Sequence, residues 1–544
     1  MGQAAAVSRL IDRLHNGAAP PHKILRQQAV LPSDNQDPEN ADPTMNRPPS
    51  PATADRPLRW VVYFLGGLIV CRLVLLLFAP MCDPSEARYA EMSRVMVTSG
   101  DWVTPQFAPG VPFWAKPPLS MWASAVGIAC FGPNHFGARI FIFAAALGVL
   151  ALVARAAQHE FKSNLMGWVA AALLMASPLF YYCAAAVMTD LVLVLGTTLT
   201  MVAFRMALEK SSRAWGYGFF LGLTIGLLAK GPLTLILAGP PIFGYCLLTC
   251  QWRRVWQFIP WFSGTLLMLL LAVPWYLLAE NHTPGFLDYF IVGEHIRRFT
   301  VASWAGDRYG SAHTAAIGTI WLFALLAVFP WGFGFLAVPF RQWRGLRAWL
   351  MAANGRGLYW LLWALWPLVF FTPARNIIAT YPLPALPAIA LLLTEIYWRR
   401  TAQPPAPRFH PLHPALVGVS GGVVLLSLLF AFATPQLAPN ATQLELVQCY
   451  ESHRAPDDNL LYFQKRKFSA EFYTRGQAAT TDSPAELRQR MEGPGRLFLA
   501  IDARHFALLQ PDVQAAFTLL GQWGKQSVLY VQRREAAPPA VKPQ

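Results

Sequence analysis

Residues 60–80 read WVVYFLGGLIVCRLVLLLFAP, and residues 83–102, just beyond, read DPSEARYAEMSRVMVTSGDW. The first stretch is an apolar run long enough to cross a bilayer, which takes about 20 residues of helix. It defines a first span at about 59–79. Further apolar blocks follow at about 137–155, 165–182, 187–206, 214–229, 232–249, 258–279, 313–338, 358–372, 378–397 and 413–433. The bulk numbers agree with a chain built for lipid: 544 residues, 55% hydrophobic and only 13% charged, against about 25% charged in a soluble chain. The 20 Trp and 35 Phe suit interfacial belts and lipid-facing surfaces.

The blocks predict a polytopic α-helical membrane protein of about eleven to thirteen spans. With the N-terminus in the cytoplasm, the inner connections are 156–164, 207–213, 250–257, 339–357 and 398–412. They or their edges hold Arg155, Lys162, Arg205, Lys210, Arg213, Arg253, Arg254, Arg341, Arg344, Arg347, Arg399 and Arg400. The short outer connections are largely free of such clusters, so the positive-inside rule is met at every inner loop. The net charge of +15 is therefore read as topology and not as a nucleic-acid footprint. There is no P-loop and no glycine-rich turn opening a helix after a strand. The seven cysteines are scattered without metal-type spacing, which predicts no disulfide framework.

Residues 1–57 are rich in Pro, Ala, Asn and Asp and read as a disordered cytoplasmic tail; little before Met45 has structural character. Residues 58–434 hold the membrane domain, with a long outer loop at 80–136 and a second at 280–312. In the first loop, Ser85 to Val97 and Leu119 to Phe131 read as helices lying at the interface. Residues 435–535 alternate β-type runs (NLLYFQ, RLFLAID, SVLYVQR) with helix-like stretches (PAELRQRME, PDVQAAFTLL), which predicts a small extracytoplasmic α/β domain. Residues 536–544 read as a second disordered tail.

Charged groups at membrane depth are costly and are retained where they pair or work. Asp83 follows the first span, with Glu86, Arg88 and Glu91 behind it; the alternative is an interfacial helix start. Asp190 stands in AAAVMTDLVLVLG at the outer edge of a span, with no partner near in sequence; the alternative is a Thr189/Asp190 helix cap. Lys230, in LGLLAKGPLTL, reads as a phosphate contact or a snorkelling end residue. Lys116, in WAKPPLS, reads the same way. In GEHIRRF, Arg297 and Arg298 are a possible phosphate clamp and His295 a ligand or acid–base group. Arg375 to Tyr381 (RNIIATY) lie at another outer end. All five groups fall on one side of the membrane, under a topology fixed without them. Carboxylates beside several cations suit a transfer reaction on an anionic lipid phosphate better than a channel, which places charge along a pore.

DPSEARYAEMSRVMVTSGDW, WAKPPLSMW and FGPNHFGAR resemble the first extracytoplasmic loop of the GT-C glycosyltransferases, in the branch of the 4-amino-4-deoxy-L-arabinose lipid A transferases and the related protein mannosyltransferases. VMTD, LLAKGP, VPWY, GEHIRRF and ATYPLPALPA extend the resemblance, in the family's order, over about 59–400. It implies inverting transfer of a sugar from a polyprenyl-phosphate carrier to lipid A or another envelope acceptor, at the outer face of a bacterial inner membrane. It implies that Asp83 is the catalytic acidic residue and Asp190 the second. It further implies that Lys116, Lys230 and Arg298 stabilise the leaving phosphate and that Tyr381 lies near it. Glu86, Arg88, His295 and Arg375 complete the expected substrate-binding set.

Two departures qualify this. Where the family commonly has Glu before the KP lysine, this chain has Ala115. In some members that Glu and the histidine matching His295 help bind a divalent metal, so no metal or other cofactor is expected. Where the family often has Gly-Lys, this chain has Arg375-Asn376, which points to a different donor or acceptor. The rival readings are a transporter or flippase of a lipid-linked sugar, which predicts mid-membrane charge and repeated halves, and a non-catalytic lipid-binding scaffold.

Overall fold

The structure is a computed structural model that describes residues 51–301, 304–310, 315–330, 343–401, 418, 421–429, 434, 438, 440–523 and 527–532. Residues 1–50 and 536–544 of the expected tails, and much of the apolar blocks at 313–338 and 413–433, lie outside the described residues, whereas 51–57, expected to be disordered, are helical.

The first apolar run forms α1 (Pro51–Phe78). The loop at 80–136 folds into α2 (Ser85–Ser99), a small hairpin of β1 (Gln106–Ala108) and β2 (Val111–Pro112), and α3 (Leu119–Phe131). The bundle continues through α4 (His135–Phe161), α5 (Asn164–Met175), α6 (Pro178–Cys183), α7 (Thr189–Glu209), α8 (Arg213–Lys230), α9 (Leu233–Thr249) and α10 (Trp261–His282). It closes with α11 (Trp343–Phe371), which is broken by non-helical backbone at Ala352–Gly355, and α12 (Leu386–Thr401). Among the described residues, four helices are long and apolar enough to cross a membrane: Leu58–Phe78, α4, α7 and α10. Others are cut short where the sequence breaks them. The 165–182 block is interrupted before Pro178, and the 378–397 block starts as a 3-10 turn at Leu383–Ala385, where closely spaced prolines delay the helix.

A peripheral helix keeps a face to lipid and a central one does not, and burial separates the two. In its apolar window α7 is 89% buried, while α10 is 22% buried. α7 reaches the centre because α8 can press against it. A Cβ at Gly196 would stand 2.6 Å from the backbone N of Gly226, and one at Gly222 would stand 2.5 Å from the backbone N of Thr200. Without a hydrophobic drive between helices in lipid, such close backbone packing supplies the association.

α2 departs from the expected interfacial helix. Glu86, Ala87, Tyr89, Ala90, Glu91, Met92 and Met96 are all buried. Its apolar side enters a core with Phe113, Met121, Phe468 and Phe472, the last two from the C-terminal domain. Protein covers this helix, because the C-terminal domain sits on the outer loop.

That domain contains α13 (Leu444–His453), β3 (Asn459–Phe463), α14 (Phe468–Tyr473), β4 (Ala479–Thr481), α15 (Pro484–Met491), β5 (Leu497–Ile501), β6 (Phe517–Trp523) and β7 (Ser527–Gln532). The sheet order is β4-β3-β5-β7-β6, parallel among β4, β3 and β5 and antiparallel at β7 and β6. Three strands fall on the three β-type runs. The run PDVQAAFTLL differs: it holds a short helix, Pro511–Ala515, and then turns into β6. β6 is an edge strand whose side chains are mostly exposed or half-buried, so the period-2 signal of a buried strand is missing there.

Candidate active site

Asp190 stands in the first turn of α7, but it does not cap the helix: the N-cap is Met188, with no side-chain capping bond. Its carboxylate accepts from Lys230 Nζ at 2.8 Å and from Thr380 Oγ1 at 3.0 Å. The partner that sequence could not supply therefore comes from the end of α8, 40 positions away. Lys230 does not snorkel. It is 8% exposed and lies over the ring of Tyr381 at 5.5 Å.

The loop at 280–312 packs directly on this pair. Residues Tyr289–Arg297 wind as a π-helix, a geometry frequent at functional sites. It sets His295 Nε2 3.1 Å from the Lys230 carbonyl and Nδ1 2.7 Å from the Phe290 carbonyl. Burial pushes the His295 pKa down, favouring the neutral ring. Glu294 is held at its two oxygens. Lys116 Nζ donates to it at 2.8 Å, and Arg298 Nη1 donates at 2.9 and 3.0 Å. Burial raises the Glu294 pKa, but Lys116 and Arg298 outweigh it and hold the carboxyl below its usual range. Arg298 also meets Asp307 at 3.4 Å. The structure thus brings Asp190, Lys230, Tyr381, His295, Lys116 and Arg298 into one cluster.

Asp83 lies apart from these cations. Its backbone N–H donates to the Ala441 carbonyl at 2.7 Å. Its carboxylate accepts the Ser469 backbone N–H at 3.1 Å and the Ser469 hydroxyl at 2.5 Å. The candidate acid is thus held by α14 of the C-terminal domain. Burial pushes its pKa up, and the Ser469 bonds and the Lys467 charge oppose that only in part. α14 is fixed in turn by Tyr473, whose hydroxyl accepts the Met81 N–H at 2.7 Å and lies 2.9 Å from His135 Nε2.

Two further candidates connect the Asp83 loop to the cation cluster. Glu86 accepts Arg139 Nε at 2.8 Å and the Val187 backbone N–H at 3.2 Å, three residues before Asp190. Arg88 donates to the Tyr309 carbonyl at 2.7 Å. The Tyr309 hydroxyl accepts the Trp114 N–H at 3.0 Å, two residues before Lys116. Arg297 and Arg375 are exposed, and neither side chain makes a hydrogen bond or ion pair with a described residue. The 375–381 stretch reaches the cluster through Thr380 and Tyr381 instead.

Sequence reasoning missed Glu294, Asp307, Thr380, Arg139 and Ser469. Glu294, Thr380 and Arg139 stand inside quoted motifs, and a carboxylate next to several cations was a usable signal for the first. Ser469 carries no signal in an unremarkable helix almost 400 positions from its partner.

The family described as dolichyl-phosphate-mannose-protein mannosyltransferase matches residues 71–290. An undecaprenyl phosphate-alpha-4-amino-4-deoxy-L-arabinose arabinosyl transferase of Edwardsiella ictaluri is 30% identical over 64% of this chain, which spans 61% of that relative's length. Arabinosyl transferase 1 of Pseudomonas fluorescens is 30% identical over 72% of this chain and 67% of its own. The fold matches that of ArnT from Cupriavidus metallidurans bound to undecaprenyl phosphate. There the TM-score is 0.72 at 19% identity, over 88% of this chain and 99% of that one. The chain is a multi-pass membrane protein, and it belongs to the GT-C family that contains the 4-amino-4-deoxy-L-arabinose transferases.

Proposed function

We propose that this chain is an inverting glycosyltransferase that moves a sugar from a polyprenyl-phosphate carrier to lipid A or a similar envelope acceptor. The reaction takes place at the extracytoplasmic face of a bacterial inner membrane, with the N-terminus inside and the C-terminal domain outside. The observation that carries the reading is the gathering of Lys116, Lys230 and Arg298 with Tyr381 at the same end of the bundle as Asp83. The relatives' names, which specify undecaprenyl phosphate and an arabinosyl group, support the donor class.

In this reading the bond between the sugar C1 and the carrier phosphate oxygen breaks, and its electron pair leaves with the phosphate. Charge grows on that phosphate while the sugar passes through an oxocarbenium-like state. Lys116 and Arg298 share the buried Glu294, and Lys230 shares Asp190. An arriving phosphate competes for cations already fixed in place, which is the preorganisation that stabilises a leaving anion. An acceptor oxygen attacks C1 from the opposite face. If the acceptor is a hydroxyl, its proton passes to the Asp83 carboxylate. If it is a phosphate, no proton moves and Asp83 orients it. Ser469 acts through Asp83 as a positioning residue.

The residues here do not fit a metal site at the family's position. Ala115 offers no side-chain donor atom, its carbonyl accepts from Lys116 Nζ, and the His295 ring is turned to the Phe290 and Lys230 carbonyls. No step is routed through a metal.

Transfer tested in liposomes with polyprenyl-phosphate sugars and lipid A decides the reading. Sugar on the acceptor supports it. Lipid-linked sugar that changes leaflet with no product over a broad donor panel replaces it with the transporter.

A further inference from the structure

One buried cation is not used by this reaction scheme. Arg72 lies on α1, six residues before its outer end at Phe78, or roughly 9 Å along the helix. It is 7% exposed. Its Nη2 donates to the Tyr182 carbonyl at 2.7 Å, and its guanidinium lies 5.6 Å from the Tyr181 ring. Its Nε is buried and has no hydrogen-bond partner among the described residues. A guanidinium at this depth with an unspent donor is expensive, unless something supplies the missing acceptor.

Beside Arg72 is a cavity of about 510 Å³. Its walls are mostly apolar and include Ala186 and Phe329, with Gly422 and Leu426 from the helical residues 421–429. The remaining charged groups in the wall are Glu86 and Arg139, and they neutralise each other at 2.8 Å. Arg139 spends its other donors on the carbonyls of Leu76, Ala79 and Pro80. The cavity therefore holds one positive charge in excess and no free carboxylate among the described residues. An apolar pocket with one uncompensated arginine, opening beside the outer end of α1, is complementary to a lipid with an anionic head.

We infer that this cavity is the acceptor-lipid site, with Arg72 taking a phosphate of the acceptor and the apolar wall taking part of an acyl chain. The inference rests on the transferase reading above. It assigns the acceptor here and not the carrier, because the carrier phosphate already has Lys116, Lys230 and Arg298. Glu86 stands between the two groups. It lines this cavity, binds the Val187 N–H on the way to Asp190, and lies three residues from Asp83. One cation group for the carrier, and a separate arginine in a cavity that Glu86 lines, match a reaction that joins two phosphate-bearing lipids. Arginine suits the role, since its planar fork can give a phosphate two parallel hydrogen bonds.

The test uses the full chain in liposomes, with donor and acceptor concentrations varied separately, and in parallel the binding of lipid A to the purified protein without donor. Arg72→Gln should raise the acceptor KM roughly tenfold to a hundredfold, the worth of a charge-assisted hydrogen bond, with the donor KM unchanged. Arg72→Lys should recover part of the loss. If Arg72→Gln does not fold, Gly422→Phe decides. Gly422 lines the cavity and a Cβ added there meets nothing within 4 Å, so a larger side chain has room at its start and should raise the acceptor KM alone. A rise in the donor KM would assign the cavity to the carrier and overturn the inference. Unchanged constants in Arg72→Gln, or in Gly422→Phe where that variant must decide, would make Arg72 structural and overturn it too. If wild type binds lipid A through Arg72 but transfers nothing to it, the transferase reading fails while the site stands.

Discussion

The two ends of the helix bundle carry the same kind of chemistry in different settings. At the end bearing the basic loops, Arg205 bonds Glu160 at 2.8 Å and Glu209 at 3.3 Å, and also the carbonyls of Ala353 and Asn354. Both sides of the Arg205–Glu160 pair are sealed, at 5% and 6% exposure. At the opposite end Glu294 is just as buried, at 2%, but the two cations on it are not: Lys116 is 21% exposed and Arg298 26%, while Lys230 is sealed with Asp190 at 10% each. Pairing therefore does not distinguish a working cluster from a structural clamp. What distinguishes the Lys116–Glu294–Arg298 group from the Arg205–Glu160 pair is that its cations face open space while the carboxylate holds them from behind.

That contrast can be broken by treating the two ends alike. Lys230→Met should lower transfer at least a hundredfold, as loss of a preorganised transition-state group does, and should also lower Tm by stranding Asp190. Adding Asp190→Asn should restore most of the Tm and none of the transfer. Arg205→Met should cost about 3–5 kcal/mol of stability, as breaking a buried pair does. Adding Glu160→Gln should restore stability, with transfer per folded molecule close to wild type throughout. Thermal unfolding in detergent beside a transfer assay reads both. If the second pair also abolishes transfer, the distinction fails.

Lys116→Gln should have a smaller effect, raising the donor KM roughly tenfold with little change in the acceptor KM. A shift confined to the acceptor KM would move Lys116 to the other substrate.

The smallest effect concerns Ser469, which holds Asp83. Burial raises its pKa, and the Ser469 hydroxyl is one of the groups that pull it back. A carboxylate is present above its pKa and is lost as pH falls through it. Ser469→Ala should therefore move the acid limb of the kcat profile to higher pH, with only a few-fold loss at neutral pH. A uniform loss at every pH would mean that Ser469 merely supports the fold.

Much of this was legible in the sequence, for local reasons. Apolar length gives α1, α4, α7 and α10, because in lipid a spanning segment has to satisfy its own backbone. Loop charge places Asp83, Asp190, Lys116, Lys230, His295 and Tyr381 at one end, and the structure joins all but Asp83 into a single cluster. What stayed hidden depends on contacts between distant segments. The Asp190–Lys230 pair needs the glycines of α7 and α8 to meet, the burial of α2 needs a domain that starts more than 300 residues later, and Ser469 holds Asp83 from that domain. Arg375 shows the limit in the other direction: a cation in a suggestive motif whose side chain stays outside the cluster.

The most direct test compares wild type with Asp83→Asn in liposomes supplied with polyprenyl-phosphate sugars and lipid A, with the products read by mass spectrometry. The account predicts glycosylated acceptor from wild type and none above background from the variant, with unchanged Tm. Transfer by Asp83→Asn at the wild-type rate would contradict it.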